Sequence, residues 1–146
     1  MVERRSVLIV DDEFGLAEML RDMLREDGYD VTLAINGRLA LDILRERSVH
    51  LVITDLMMPV MDGAELAAAI RADERMGSTP VLLMTSLPSR IPDQSGLYDA
   101  IIRKPFTPEL LLAAMTTCFE AQRERASNGA VSGSPAMNGD VADGTS

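Results

Sequence analysis

The chain has 146 residues, of which 47% are hydrophobic and 25% are charged, so it is suited to fold as one globular domain with a buried core. Its net charge of −9 argues against binding nucleic acid through the phosphate backbone, which requires a basic surface. No apolar run is long enough to span a bilayer. The start of the chain also lacks the features of a secretory signal, so we expect a cytoplasmic protein.

Short runs rich in aliphatic residues alternate with helical segments over residues 1–124. Alternating strands and helices pair the strands in parallel, and the first run is apolar on both faces, as in a strand covered by helices. The sequence therefore predicts an α/β domain with a doubly wound, five-stranded parallel sheet. The predicted strands are 6–10, 29–34, 51–54, 80–85 and 100–103.

The segments between and after these strands carry apolar residues at helical spacing, which we interpret as core packing. The last helix has a clear beginning, because Thr107 can cap it, Pro108 suits its first position and Glu109 favours the positive end of its dipole. The apolar stripes are Leu16, Met19, Leu20, Met23 and Leu24; Ala40, Ile43 and Leu44; Leu66, Ala67 and Ile70; and Leu111, Ala114, Met115 and Cys118.

The end of the chain differs from the rest in composition. Residues 125–146 are mostly small, polar and glycine-rich and show no hydrophobic period, so they predict a disordered tail after a domain that spans residues 1–124. The single His50 and the single Cys118 are interpreted as structural, since neither has a partner that would suggest a metal pair or a disulfide.

Polar residues fall where the predicted strands end. Asp11 and Asp12 follow the first strand, Asp55 ends the third, Thr85 ends the fourth and Lys104 follows the fifth. The carboxyl ends of parallel strands share one edge of the sheet, and ligands bind there at the point where the strand order reverses. With the strand order 2-1-3-4-5, that point lies between Asp11–Asp12 and Asp55. Capping of the first helix is an alternative role for Asp12.

Three carboxylates within about 5 Å of one another repel by roughly 3 kcal/mol per pair at an effective dielectric of about 20. A hard divalent cation relieves this repulsion, and Mg²⁺ suits a site with few carboxylates, water and phosphate oxygens. An ionised aspartate can then attack phosphorus, while Lys104 and Thr85 contact the phosphoryl oxygens. The backbone carbonyl of Met57, in the loop after Asp55, is the natural further ligand.

These motifs resemble those of the response-regulator receiver family of two-component signalling, which has a flavodoxin-like fold. The resemblance extends from about residue 6 to residue 122 through LIVDDE, ITDLMMPVMDG, LLMTS and RKPFTPELL, in this order and spacing. It suggests a single-domain member of the family. Taken together, the motifs are highly specific.

The resemblance implies a role for each site residue. Asp55 would be the phosphoacceptor. Asp12, Asp55 and the Met57 carbonyl would hold Mg²⁺, with Asp11 acting through water. Lys104 would bind the phosphoryl group, Thr85 would be the switching hydroxyl, and the bond from Lys104 to the following proline would be cis.

The resemblance also implies partners. Family members take phosphate from the phosphohistidine of a histidine kinase or phosphotransfer protein and catalyse only their own phosphorylation and dephosphorylation. We expect output through contacts with a downstream protein, no nucleic-acid or membrane partner, and a monomer or weak dimer.

Two departures concern the output. Ile101 stands where the family often has an aromatic residue, and residues 86–99 contain prolines and a glycine but no apolar stripe, so we expect a shortened or irregular fourth helix.

Two other functions compete with the signalling role. One is an aspartyl-phosphate phosphatase or phosphotransferase. Such enzymes commonly carry a second carboxylate two residues after the nucleophile, and Met57 occupies that position here. The other is a receiver fold that serves as a constitutive interaction module, which an unresponsive fourth helix would favour.

Overall fold

A computed structural model of the chain describes residues 4–88, 91 and 96–132, with the backbone alone from residue 128 onward. The strands are all parallel and lie in the order β2-β1-β3-β4-β5, which confirms the predicted topology. The elements of this part of the chain are β1 (Ser6–Val10), α1 (Phe14–Glu26), β2 (Asp30–Ala34), α2 (Gly37–Glu46), β3 (Leu51–Asp55), α3 (Gly63–Ala72), β4 (Val81–Thr85), β5 (Ala100–Arg103) and α4 (Pro108–Ser132).

The sheet separates two hydrophobic clusters. α1 and α4 cover one face and α2 and α3 cover the other, so successive residues of β1 alternate between the two clusters: Val7 and Ile9 belong to the first, Leu8 and Val10 to the second. Fully burying one large aliphatic side chain stabilises a fold by roughly 1.5–3 kcal/mol. Packing on both faces therefore holds the strand ends in place at the edge of the sheet.

The two helices that cover one face of the sheet, α1 and α4, begin differently. α4 begins at Pro108 as predicted, and the Thr107 hydroxyl accepts the N–H of Leu110 at 3.1 Å. The residue that caps α1 is Glu13, which makes no side-chain cap hydrogen bond. The alternative capping role for Asp12 is therefore wrong, and its carboxylate is not committed to the helix.

The last helix continues past the predicted domain boundary. α4 reaches Ser132, so residues 125–132 are helical rather than disordered. The stretch around the predicted boundary is rich in Ala, Glu, Gln and Arg, which have high helix propensity and let the helix continue without an apolar stripe. Residues 133–146 of the predicted tail lie outside the described residues.

In the connection from β4 to β5, the residues that the structure describes are irregular, as expected. These residues, 86–88, 91 and 96–99, contain no α-helix, and the other residues of this stretch lie outside the described part of the chain. β5 nevertheless pairs in register with β4, from Leu82 with Ala100 to Thr85 with Arg103. The end of β5 is thus brought to the same edge as the ends of β1 and β3.

Candidate functional site

The ends of β1 and β3 bring three aspartates together. These strands are neighbours, and the pairing of Val10 with Thr54 leaves Asp11 and Asp12 beside Asp55. One carboxylate oxygen from each aspartate lies within 4.8 Å of the other two. Asp11 is buried, Asp55 is partly buried and Asp12 is exposed. The cluster therefore has a solvent-facing side through which a ligand can enter.

Lys104 reaches this cluster from the end of β5. Its Nζ atom lies 3.1 Å from Asp11 Oδ2 and 3.3 Å from Asp55 Oδ1, and 4.0 Å from Glu13 Oε1. Glu13 was not among the predicted site residues, although it directly follows the paired aspartates. Lys104 is also the only lysine among the 14 basic residues of the chain, a further signal that pointed to this position. Here one ammonium faces several carboxylates, so the site carries an excess of negative charge.

The protonation of the pair reflects this environment. Burial raises the pKa of Asp55; the charge of Lys104 opposes this shift and the charge of Asp11 adds to it. Burial by itself lowers the pKa of Lys104, but the charges of Asp11 and Asp55 and the hydrogen bonds to both outweigh it, so this pKa is raised. The ammonium is thus firmly protonated, while Asp55 pays an electrostatic cost for ionisation that a further cation would reduce.

The loop after β3 is held close to the end of the strand. A Cβ atom on Gly63, the first residue of α3, would lie only 2.3 Å from the Asp55 carbonyl oxygen, so only glycine permits this approach. Asp62 and Glu65 form a capping box that fixes the start of the helix. Val60 adopts a φ of 74°, which is strained for a β-branched residue, and strain of this kind recurs at functional sites.

Thr85 and Met57 stand at the same edge. Thr85 is buried, its hydroxyl accepts the N–H of Leu87 at 3.0 Å, and its carbonyl accepts the N–H of Lys104 at 2.9 Å. Met57 lies two residues after the end of β3, and its side chain is exposed. The role of its backbone carbonyl as a metal ligand stays a prediction. The bond between Lys104 and Pro105 is cis, as the resemblance implied.

An apolar groove of about 660 Å³ lies beside the site and ends at Lys104. It runs between α1 and the loop that leads from β5 into α4. Four of its residues come from α1, and Met19 among them is 63% exposed although it belongs to the predicted core stripe. The residues that line the groove are Leu16, Met19, Leu20, Met23, Ser86, Lys104, Pro105, Phe106 and Pro108.

Comparison with known proteins identifies the family. The sequence model of the response regulator receiver domain matches residues 7–116. The chain belongs to this family. The match confirms the resemblance read from the motifs, and it assigns residues 7–116 to a family of signalling modules.

Relatives and solved structures agree with this assignment. The DNA-binding response regulator MtrA of Mycolicibacterium paratuberculosis is 37% identical over 113 residues, which cover 75% of this chain and 49% of MtrA. Response regulator Rre1 of Synechocystis is 35% identical over 136 residues, or 90% of this chain and 59% of Rre1. The chain thus spans about half the length of the curated relatives it matches, so their complete activities do not carry over to it.

Two solved receiver structures share the fold. Chemotaxis response regulator CheY4 of Vibrio cholerae superposes with a TM-score of 0.70 at 31% identity, covering 78% of this chain and 98% of CheY4. TrrA of Thermotoga maritima, solved in complex with Mg²⁺-BeF, gives a TM-score of 0.69 at 31% identity, covering 77% of this chain and 98% of TrrA. They confirm the flavodoxin-like receiver fold.

Other expectations are not tested by these findings. The absence of nucleic-acid binding, the monomeric or weakly dimeric state and the cytoplasmic location stay predictions. Among the described residues, no helix combines the length and apolar character needed to cross a membrane. The roles of the site residues are likewise predictions, which the geometry allows us to develop.

Proposed function

We propose that Asp55 accepts a phosphoryl group and that the chain relays this modification as a two-component or phosphorelay signal. One observation carries the proposal: the Lys104 ammonium lies 3.1 Å from Asp11 and 3.3 Å from Asp55, at the solvent-facing edge where three carboxylates converge. A structural ion pair needs one carboxylate for one ammonium. The surplus of acidic groups supports a site built for a cation and a transferable anion.

The transfer step uses groups that are already in place. An Asp55 carboxylate oxygen attacks phosphorus, the bond from phosphorus to the donor nitrogen breaks, and imidazole leaves with the electron pair. Lys104 neutralises charge on one equatorial oxygen, and the Thr85 hydroxyl donates to another. Because the hydroxyl accepts the Leu87 N–H, its own hydrogen is available for this contact. Movement of Thr85 toward the phosphoryl group would break that bond and displace Leu87, passing the signal to a downstream protein.

Mg²⁺ is the cation that fits this site. The donors are carboxylate and carbonyl oxygens, which hard divalent ions prefer. Receiver domains bind Mg²⁺ at an acidic site, and the Mg²⁺-BeF complex of TrrA supports the same assignment here. We assign Asp12, Asp55 and the Met57 carbonyl as direct ligands, and Asp11 as a ligand through water. When bound, the ion supplies neutralisation of phosphoryl charge.

The donor we propose is the phosphohistidine of a histidine kinase or phosphotransfer protein. Receiver domains are phosphorylated by such proteins. The apolar groove that ends at Lys104 supports a protein donor, because its lining gives a partner helix a surface to pack on beside the acceptor. A small phosphodonor would not need this surface.

Phosphorylation of the full chain by acetyl phosphate and Mg²⁺ tests the acceptor role. We expect one phosphoryl group per chain by mass spectrometry, none in Asp55→Asn, and normal labelling in the control Asp42→Asn, whose carboxylate lies on the exposed side of α2. Repeated turnover of acetyl phosphate far above the rate of aspartyl-phosphate hydrolysis would favour the enzyme instead. Absence of labelling on Asp55 would leave the constitutive interaction module.

The same assay separates the donor surface from the acceptor. Met19→Glu should slow transfer from a phosphorylated histidine kinase of the same genome while leaving acetyl phosphate labelling unchanged, because the groove contacts only a protein donor. Leu39→Glu is the matched control, since Leu39 is an exposed leucine of α2. Equal effects of both changes on the kinase reaction would contradict the role of the groove.

A further inference from the structure

β5 carries Lys104 but is weakly held by apolar packing. It is the shortest described strand, with four residues, and it lies at an edge of the sheet with β4 as its one neighbour. Only Ile102 of its four side chains is buried, whereas all five residues of β4 are buried. Hydrophobic contacts therefore restrain the position of β5 less than they restrain the position of the strands that carry the aspartates.

Asp99, directly before β5, makes two hydrogen bonds to the first residue of β4. Its N–H donates to the Val81 carbonyl at 2.9 Å, and its carboxylate accepts the Val81 N–H at 2.8 Å. The carboxylate thus takes the backbone donor at the beginning of β4. These two bonds fix where β5 begins along β4.

Two arginines from different helices hold this carboxylate. Arg71 of α3 pairs with it at 2.9 Å and Arg125 of α4 forms a second ion pair, while the Asp99 side chain is only 6% exposed. Arg71 also donates to the carbonyl oxygens of Gly77 and Thr79. Because the arginines are themselves anchored to α3, α4 and the backbone, the start of β5 is tied to both layers of the domain.

The opposite end of the same short strand bears the ammonium of the site. The Lys104 N–H donates to the Thr85 carbonyl, and its side chain extends to Asp11 and Asp55. A strand rises by about 3.3 Å per residue, and β5 pairs with β4 without a break from Ala100 to Arg103, so the register at one end sets the register at the other. A shift at Asp99 is therefore passed along β5 to Lys104.

We infer that Asp99, held by Arg71 and Arg125, is a positioning residue for Lys104. It sets the place of β5 along β4 and so the approach of the ammonium to the acceptor carboxylate. The consequence for phosphoryl transfer rests on the proposed function, but the effect on the position of Lys104 does not.

The position of Lys104 can be read directly by NMR because it is the only lysine in the chain. Protein labelled with ¹³C-lysine and free of Mg²⁺ should give one Cε signal at the wild-type shift, and Asp99→Asn should move it toward the shift of a solvent-exposed lysine. Arg125→Ala should move the signal in the same direction, whereas Arg125→Lys, which keeps the charge, should stay close to the wild-type shift. Val31→Ala, in the opposite edge strand β2, should leave it unchanged. A wild-type signal in Asp99→Asn would overturn the inference.

A double-mutant cycle measures the consequence for phosphorylation. Asp99→Asn should lower the rate of labelling by acetyl phosphate and Mg²⁺ roughly tenfold, because small displacements of a contacting group are costly. In a Lys104→Ala background the same change should have no further effect. An equal decrease in both backgrounds would identify a purely structural role and contradict the inference.

Two outcomes keep the hypotheses separate. If wild-type protein accepts no phosphoryl group, the proposed function fails while the NMR shift still decides the positioning role. If Asp99→Asn does not fold, Arg125→Ala takes its place in both experiments, since it removes one of the two ion pairs from a partly exposed position. The same results then support or overturn the inference.

Discussion

The two ends of β5 hold charge clusters of opposite balance. At one end Lys104 faces Asp11 and Asp55, with Asp12 beside them, so carboxylates outnumber the cation. At the other end Asp99 lies between two arginines. The guanidinium of Arg71 is further satisfied by backbone carbonyl oxygens, whereas Asp12 faces solvent.

This difference distinguishes a site from a structural joint. A buried ion pair whose groups are also bonded to the backbone holds elements together, and removing one partner strands the others. Both clusters carry unequal charge, but the arginines at the Asp99 end also donate to backbone carbonyl oxygens, whereas the surplus carboxylates at the Lys104 end include the exposed Asp12. Carboxylates that lie together at a solvent-facing edge raise the cost of their own ionisation and gain from a cation that can reach them, which marks the Lys104 end as the candidate site.

The largest effect should come from breaking the cluster at Asp99. Asp99→Asn keeps the hydrogen bond to Val81 but leaves two guanidinium groups without a counter-ion, so we expect the free energy of unfolding in urea to fall by about 3 kcal/mol. Burial raises the pKa of the nearby single Cys118 to about 12. In this variant Cys118 should react about a hundredfold faster with a thiol reagent, because a loss of about 3 kcal/mol increases the unfolded fraction by about that factor.

The control for this change is Asp42→Asn, which breaks an exposed pair with Arg45 and should cost less than about 0.5 kcal/mol. Equal stability of the two variants would show that the cluster at Asp99 is not a structural joint.

An intermediate effect is expected from Mg²⁺ at the cluster of Asp11, Asp12 and Asp55. A free concentration ten times the dissociation constant should raise the free energy of unfolding by about 1.4 kcal/mol, because the ion binds only the folded site. NaCl at matched ionic strength should not reproduce the gain, and Asp55→Asn should reduce it. A similar gain in Asp55→Asn would show that the ion binds elsewhere.

The smallest effect concerns Asp55 without magnesium. Because its pKa is raised in the folded protein, ionising it lowers stability as the pH rises above the ordinary aspartate pKa. Asp55→Asn should therefore be more stable than wild type at neutral pH in EDTA, because the neutral amide avoids the cost of burying a carboxylate, which outweighs the lost attraction to Lys104. At a pH below the ordinary pKa the carboxyl is protonated in both states and the two proteins should be equally stable. A variant less stable than wild type at neutral pH would contradict this sign.

The sequence predicted the reacting end of β5 better than the structural end. Asp11, Asp55 and Lys104 each follow or end an apolar run, so the geometry of parallel strands was sufficient to bring them to one edge. The partners of Asp99 come from two helices, at positions 71 and 125, and long-range ion pairs leave no periodic signal in the sequence. The helical continuation of α4 through Arg125 was missed for another reason, because the composition of residues 125–146 suggested disorder.

Local side-chain geometry was predicted only in part. The cap at Thr107 follows from residue type alone and is confirmed. Asp12 could serve either a helix or a ligand, and only the coordinates decide that α1 does not use it. Met19 fits the helical stripe by spacing, but it projects from the margin of that stripe and remains exposed.

The separation of the hydrophobic clusters by the sheet has a consequence for how this domain tolerates change. Leu24 packs in the cluster with α1 and α4, and Ile70 packs in the cluster with α2 and α3. Because the sheet lies between them, their truncations should add in free energy. Each layer of helices can then change independently, and new surfaces can arise on either face while the site at the edge of the sheet stays the same.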